Sequence, residues 1–175
     1  MRSLTLLLIV LLALLTGCQP YQYHGLYLDS AATAPAVTLT DQNGQPASLT
    51  DFRGKLALVY FGYTFCPDVC PTTLGAVNKA LELLGTKADQ VQLVMVTVDP
   101  ERDTTAVLKN YLSNFNPSFV GLTGSPDQIA SAATPFDVFY EKHEGSAATG
   151  YLVDHTASLM VLDREGRLRL VFPYG

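Results

Sequence analysis

Two dense apolar runs, the first followed by a helical pattern, place the main constraint on how this chain folds. The runs are "KLALVYFGY" (55–63) and "VQLVMVTVD" (91–99). A segment that is apolar at nearly every position is typical of a strand buried on both faces of a sheet. After the first run, apolar residues recur at helical spacing from Leu74 to Leu84, and Gly85 is predicted to end that helix. The chain is therefore expected to alternate between buried strands and covering helices.

The rest of the chain supplies further elements of both kinds. They are a hairpin around Asn43-Gly44, helices at 104–114 and from Ser125 with Pro126 in its first turn, a short strand in "FVGLTG", and two strands in "ASLMVLDREGRLRLVFPYG". This order predicts an α/β fold with a central mixed sheet covered by helices on both faces.

Two of the three cysteines lie where the first buried strand meets its helix. Cys66 and Cys70 stand in "YFGYTFCPDVCPTTL", and each is followed by a proline. Backbone amides and the helix dipole stabilise thiolates at such a junction. Pro71 suits a first helical turn, and Pro67 restricts the loop between the sulfurs. A dithiol at this position makes the thioredoxin-like fold the natural candidate.

The beginning of the chain indicates where the protein is located. An apolar run from Leu4 to Leu15 is too short to span a bilayer comfortably and is typical of a secretory signal. The small residue before Cys18 resembles a bacterial lipoprotein signal. That resemblance implies cleavage after residue 17, a lipid on Cys18 and anchoring to a membrane from the periplasmic side. An uncleaved anchor or a plain signal is the alternative. Residues 18–35 are predicted to form a tether.

An oxidising compartment affects the redox state that we expect for the remaining cysteines. With Cys18 lipidated, Cys66 and Cys70 are the only thiols left, and such pairs tend to form disulfides there. A bridge over so short a loop would constrain little chain entropy. We therefore interpret the pair as chemically active rather than as a structural bridge.

Length and charge limit the class of partner. Residues 36–175 are enough for one ordinary domain with its own core. The formal net charge is −5, and the sequence contains no basic run. Nucleic acid is therefore not expected as a partner.

A metal site would need a third ligand besides the two sulfurs. The chain has three histidines: His24 in the predicted tether, His143 in the polar stretch "YEKHEGSAATGY", and His155 directly before an apolar strand. The first two are interpreted as solvated. His155 lies at a junction that can face the dithiol in this fold. From the residues alone, a structural histidine and a metal ligand fit its position about equally well.

Four motifs in the right order resemble the Sco/SenC family of copper chaperones for cytochrome c oxidase. They are "FGYTFCPDVCPTTL", "VTVDPERDT", "DHTASLMVLDREGRL" and the terminal "FPYG". The resemblance extends from about Val37 to the end and implies a thioredoxin-like domain. It also implies metal ligands at Cys66, Cys70 and His155. Family members usually continue into a C-terminal helix that this sequence lacks, so we expect some apolar surface to be exposed.

The resemblance also implies a task and partners. The task is delivery of copper, as Cu(I) or Cu(II), to the binuclear CuA centre of cytochrome c oxidase subunit II, or preparation of the cysteines of that centre by thiol–disulfide exchange. The implied partners are that subunit, a periplasmic copper donor and a thiol reductant. Both tasks would take place at the membrane that holds the lipid anchor.

The chemistry of the three side chains leaves alternatives open. Two thiolates and an imidazole favour Cu(I), although the same ligands with a water would also suit zinc. Three protein ligands leave an open position for handing a metal on, and loss of the ion would allow a Cys66–Cys70 disulfide. A thiol–disulfide oxidoreductase would need only the cysteines, and a thiol peroxidase has only the similar scaffold in its favour. The sequence favours a metal-binding chaperone over an enzyme in the usual sense.

Three carboxylates are candidates for supporting roles around the site. Asp68 lies between the cysteines, where it can influence the charge of the loop or contact a partner. Asp154 is a candidate to orient the neighbouring His155. Asp99 ends a central strand near the place where a thioredoxin-like site opens. Asp103, by contrast, is predicted to cap the following helix.

Overall fold

The computed structural model describes residues 24–29, 32–145 and 150–174. The predicted signal and the lipidation site at Cys18 lie outside these residues. No helix in the described ranges has both the length and the apolar character needed to cross a membrane.

Within the described residues, eight strands form one mixed sheet and two more form a separate ribbon. The strands of the sheet are β1 (Leu26–Tyr27), β2 (Leu39–Asp41), β3 (Pro46–Ala47), β4 (Leu56–Gly62), β5 (Val91–Thr97), β6 (Val120–Thr123), β9 (Leu159–Leu162) and β10 (Leu168–Phe172). Their order is β1-β10-β9-β4-β5-β6-β2-β3, with β4, β5 and β6 parallel and the other pairs antiparallel. The antiparallel ribbon consists of β7 (Tyr140–Glu144) and β8 (Tyr151–His155).

Three α-helices connect or follow the parallel strands: α1 (Val69–Leu84), α2 (Thr105–Ser113) and α3 (Pro126–Ala133). Gly85 ends α1 with a φ of 56°, a backbone angle that glycine adopts without strain. Ser125 caps α3 through a capping box, as its sequence predicts. The helix predicted at 104–114 is confirmed as α2, but the predicted cap at Asp103 is wrong, because Thr104 caps the helix and Asp103 is buried below its start.

Both faces of the central strands are covered, which confirms the predicted α/β fold. Leu93 to Val96 of β5 point alternately to opposite faces, and all four are fully buried. On one face, Tyr60 of β4 contacts Cys70 in α1. On the other, the ring of Phe61 packs against Phe136, which directly follows α3. The metal-site candidates therefore lie on the face that α1 covers.

The two ends of the described chain lie close to the sheet. Within the predicted tether, Leu26 and Tyr27 form β1 and pair with β10, and Ala34 is buried. The last part of that segment is therefore packed against the folded domain. An apolar cavity of about 410 Å³ lies between α1 and the end of β10, where Phe172 and Tyr174 line it.

The β7–β8 ribbon is the element that the sequence reading missed. β7 is mostly polar and exposed, and no strand is predicted in the polar stretch around His143. Among the described residues, the ribbon shares no backbone ladder with the main sheet. It nevertheless ends at His155, so it determines where the third ligand candidate lies.

Candidate metal centre

Cys66, Cys70 and His155 come together at one end of the sheet. One ligand atom from each lies within 4.8 Å of the other two, and the Nε2 atom of His155 is 3.5 Å from the Sγ atom of Cys70. Ligand atoms that share an ion at 2.0–2.3 Å lie about 3.3–4.0 Å apart in trigonal or tetrahedral geometry. A contraction of roughly 1 Å would therefore let the three groups hold one ion.

Cys66 is the more accessible sulfur. It lies between β4 and α1, is partly buried, and accepts a hydrogen bond from the backbone amide of Cys70. Its pKa is lowered mainly because the Cys70 thiol donates a hydrogen bond to it. Burial opposes this effect, while His155 and the amide of Asp68 lower the pKa further. Cys66 therefore presents a thiolate to the solvent.

Cys70 is the inner sulfur. It lies in the first turn of α1 with no exposed surface, and the Tyr60 hydroxyl is 3.5 Å from its Sγ atom. Its pKa is raised, first because its proton is shared with Cys66 and second because it is buried. Neither cysteine forms a disulfide in the structure. The pair is thus asymmetric, with an outer thiolate and an inner thiol.

The ring of His155 is held between two tyrosines. Tyr60 and Tyr63 meet it edge to face, with ring centroids 6.0 and 5.9 Å away. The Nδ1 atom lies 3.2 Å from the backbone oxygen of Thr156. A proton on Nδ1 donates to this oxygen and leaves the lone pair of Nε2 directed towards the sulfurs, which is the tautomer that a metal ligand needs.

The four aspartates singled out in the sequence have different positions. Asp68 is exposed at the start of α1 and its side chain does not cap the helix. Asp154 does not contact the ring of His155 but lies 3.0 Å from the Nε2 atom of His143, with 73% of its side chain exposed. Asp99 and Asp103 are fully buried in the segment between β5 and α2.

The site opens into a cleft of about 540 Å³, lined by Cys66, Pro67, Phe139, Leu152 and His155. Phe139 on the wall of the cleft and Phe65, the chain neighbour of Cys66, are large apolar residues that are 60% and 54% exposed. Cys70 does not line the cleft. A partner would therefore meet Cys66 and His155 first, within an apolar rim.

Sequence reasoning identified the three ligand candidates but missed the residues that position them. In the sequence, Tyr60 and Tyr63 belong to an apolar run and have the pattern of ordinary strand residues. Arg102 and Tyr151 were not singled out, although Arg102 belongs to the motif "VTVDPERDT". An arginine beside buried carboxylates was a usable signal, because a buried carboxylate needs a charged or hydrogen-bonding partner.

Comparison with known proteins gives a consistent result. A family model described as SCO1/SenC matches residues 27–175. An SCO2-like protein of Rickettsia prowazekii is 38% identical over 162 residues, which cover 91% of this chain and 79% of that protein. The copper-bound structure of Bradyrhizobium japonicum ScoI has a TM-score of 0.75 and 43% identity, and covers 81% of this chain and 89% of that one. The solution structure of apo Sco1 from Thermus thermophilus has a TM-score of 0.78 and 41% identity, covering 89% and 90%.

Proposed function

This chain belongs to the SCO1/SenC family, and we propose that it is a copper-binding metallochaperone that assists assembly of the CuA centre of cytochrome c oxidase. The observation that carries this proposal is the convergence of Cys66, Cys70 and His155 within 4.8 Å. The similar ScoI protein from Bradyrhizobium japonicum was solved with copper bound.

The donor set suits copper as the cargo. Two thiolates and one imidazole are soft enough for Cu(I) and are also suitable ligands for Cu(II). Cys66 already carries the negative charge that a metal requires, whereas Cys70 must lose its proton when the ion binds. Copper binding is therefore expected to release a proton and to strengthen as the pH rises.

The asymmetry of the site provides a route for handing the ion on. The inner sulfur of Cys70 holds the ion from below, while Cys66 and His155 line the open cleft. A partner ligand that enters the cleft reaches the ion from the exposed side, and the protein ligands are then replaced one at a time. Oxidation of both thiols to a disulfide would remove two of the three ligands and prevent loading.

Anaerobic titration of the reduced protein with Cu(I) tests the proposal. His155→Ala removes one of three ligands and should lower the affinity at least about tenfold, a free-energy change of about 1.4 kcal/mol. His143→Ala is the matched control, because it removes another histidine of the ribbon that points away from the sulfurs. Unchanged affinity in His155→Ala would contradict the ligand set.

A second function, thiol–disulfide exchange, is favoured by the different environments of the two sulfurs. An exposed thiolate at Cys66 can attack a partner disulfide and form a mixed disulfide, releasing one partner thiolate. Cys70, once deprotonated, then attacks the Cys66 sulfur, which forms the Cys66–Cys70 disulfide and releases the second partner thiol. Two electrons pass to the partner, and an external thiol reductant restores the pair. Disulfide reduction should persist in His155→Ala and disappear in Cys66→Ser.

The sequence supports a proposal for the location and the partners. We propose that residues 1–17 are a lipoprotein signal, that Cys18 carries the lipid, and that the following segment up to residue 35 tethers the domain to a membrane on the periplasmic side. Subunit II of the oxidase, a periplasmic copper donor and a thiol reductant are the proposed partners. Labelling with a radioactive fatty acid in a bacterial host should mark the full chain and leave Cys18→Ala unlabelled.

A further inference from the structure

The segment between β5 and α2 contacts both parts of the chain that carry the metal ligands. It spans residues 98–104 and contains Asp99, Arg102 and Asp103. None of these side chains is one of the three ligand candidates. Different residues of the segment contact the loop that leads to Cys66, which is the dithiol side, and strand β8, which ends at His155 and is the histidine side.

Asp103 fixes the dithiol side. Its Oδ1 atom accepts a hydrogen bond from the Thr64 hydroxyl at 2.6 Å, and its Oδ2 atom accepts one from the Thr64 amide at 3.0 Å. The hydroxyl of Thr97, at the end of β5, also donates to Oδ2 at 2.6 Å. The residue two positions before Cys66 is thereby tied to the central sheet.

Arg102 contacts the histidine side. Its guanidinium lies over the ring of Tyr151 in β8, 3.6 Å from the centroid, and donates to the backbone oxygen of Tyr151 at 3.0 Å. The Nε atom donates to the buried carboxylate of Asp99, which also accepts from the Tyr151 hydroxyl at 2.6 Å. The same guanidinium lies 4.6 Å from the ring centroid of Phe65, the neighbour of Cys66.

This arrangement matters because, in the described residues, the β7–β8 ribbon shares no backbone ladder with the main sheet and is held by side-chain contacts, among them the buried Val153 and the partly buried Tyr140 and Tyr151 that pack against the core. Outside its own ladder, its described polar links to the domain include the amide of Val153, which donates to the Tyr63 hydroxyl at 3.3 Å, and an exposed ion pair between Lys142 and Glu101. Exposed ion pairs contribute about 0–1 kcal/mol. The stronger link between the ribbon and the domain is the largely buried Arg102–Asp99 pair, because both of its members contact Tyr151 and the guanidinium stacks on the ring of that residue.

We propose that Arg102 is a positioning residue that docks the β7–β8 ribbon against the dithiol segment and thereby sets how often His155 lies within reach of the two sulfurs. Only the predicted effect on copper affinity rests on the proposed copper function. The docking itself is a property of the metal-free protein. Asp99 holds the guanidinium in place, and Tyr151 is the part of the ribbon that it grips.

Amide hydrogen exchange in the reduced, metal-free full chain tests the docking. Arg102→Met keeps much of the apolar stem and removes the guanidinium. Amides of β8 should exchange at least about tenfold faster, while those in β4 and β5 keep their wild-type rates. Lys142→Met is the matched control, because Lys142 also lies near the Tyr151 ring, at 4.9 Å, but is exposed. It should change these rates less than about twofold.

A double-mutant cycle connects docking to copper. Arg102→Met alone should weaken Cu(I) binding about tenfold, but should have little further effect in a His155→Ala background, because both changes act through the same ligand. Arg102→Lys restores the charge opposite Asp99 without the planar stacking, so it should fall between Arg102→Met and the wild type.

The outcomes separate this inference from the proposed function. Equal exchange rates in Arg102→Met and wild type would overturn the docking role. An equal loss of Cu(I) affinity from Arg102→Met with and without His155 would show a general structural defect and would also overturn it. If His155→Ala binds copper normally while the β8 amides of Arg102→Met exchange faster, the docking stands and the ligand set fails.

Discussion

The dithiol segment and the β7–β8 ribbon carry the three candidate metal ligands, yet the two regions are built in different ways. Cys66 and Cys70 follow β4, which lies between β5 and β9 in the centre of the main sheet. His155 comes 85 residues after Cys70, on a ribbon outside that sheet. The sulfurs are therefore fixed by the core, while the imidazole is fixed by side-chain contacts.

This difference affects how easily each region can open or detach from the rest of the domain. A segment tied to central strands opens only when much of the domain unfolds, whereas a peripheral ribbon can detach at a lower free energy. The two sulfurs are then a permanent pair, and the histidine is a ligand whose presence can be adjusted. A protein that must both hold copper and release it gains from this separation.

The largest effect is expected from Asp103, which ties the dithiol side to β5. Asp103→Ala would leave the Thr64 amide and the hydroxyls of Thr64 and Thr97 without their acceptor. Each unsatisfied buried donor costs about 1–3 kcal/mol, so the loss of the acceptor for three donors should lower the free energy of unfolding by at least about 3 kcal/mol. Chemical denaturation measures it.

Thr104→Ala is the control for Asp103. It removes only the helix cap on α2 and should cost about 1 kcal/mol. A smaller loss for Asp103→Ala than for Thr104→Ala would mean that the dithiol segment does not depend on the core in the way described.

The same contrast explains what the sequence could predict. The dithiol segment follows from local patterns, because a buried strand, two cysteines and a helix start lie within about 20 consecutive positions, and local periodicity is the strongest sequence signal. Nothing comparable marks the ribbon. β7 is mostly polar and exposed, β8 mixes apolar and polar residues without a long apolar run, and within the described residues the two strands pair only with each other.

The sequence also does not predict which side chains contact each other in the fold. Asp154 is adjacent to His155 in the chain, but successive residues of a strand point to opposite sides, and the carboxylate of Asp154 meets His143 on the neighbouring strand. Asp103 has the position of a helix cap, but its side chain turns inward to two threonines. Hydrogen bonds of this kind depend on tertiary geometry, which a single sequence does not encode at any fixed spacing.

A smaller effect is expected at the contact between the two regions, in the titration of Cys66. Its pKa lies far below the usual value of about 8.5, so its thiolate should persist as the pH falls to about 5. Removing the His155 hydrogen bond should raise this pKa but leave it below the usual value, because the larger contribution from Cys70 remains. The pH dependence of iodoacetamide alkylation measures the shift in the reduced protein.

Cys70→Ala provides the comparison for this titration. Because the Cys70 thiol is the main cause of the lowered pKa, its loss should move the alkylation midpoint further upward than His155→Ala does. A midpoint near the usual value already in the wild type would contradict the outer-thiolate description. A larger shift in His155→Ala than in Cys70→Ala would mean that the ribbon, and not the helix start, controls the reactive sulfur.

The smallest effect is expected at Asp154, where the ribbon faces solvent. Asp154→Asn removes an exposed pair with His143, which contributes about 0–1 kcal/mol, so stability should change by less than about 0.5 kcal/mol and Cu(I) affinity by less than about twofold. His143→Ala removes the other half of the pair and should behave the same way. A carboxylate that orients a ligating histidine is instead worth about 10–100-fold in metal affinity. A loss of that size in Asp154→Asn but not in His143→Ala would mean that Asp154 turns to His155 when copper binds, and that the ribbon is positioned by the ion as well as by Arg102.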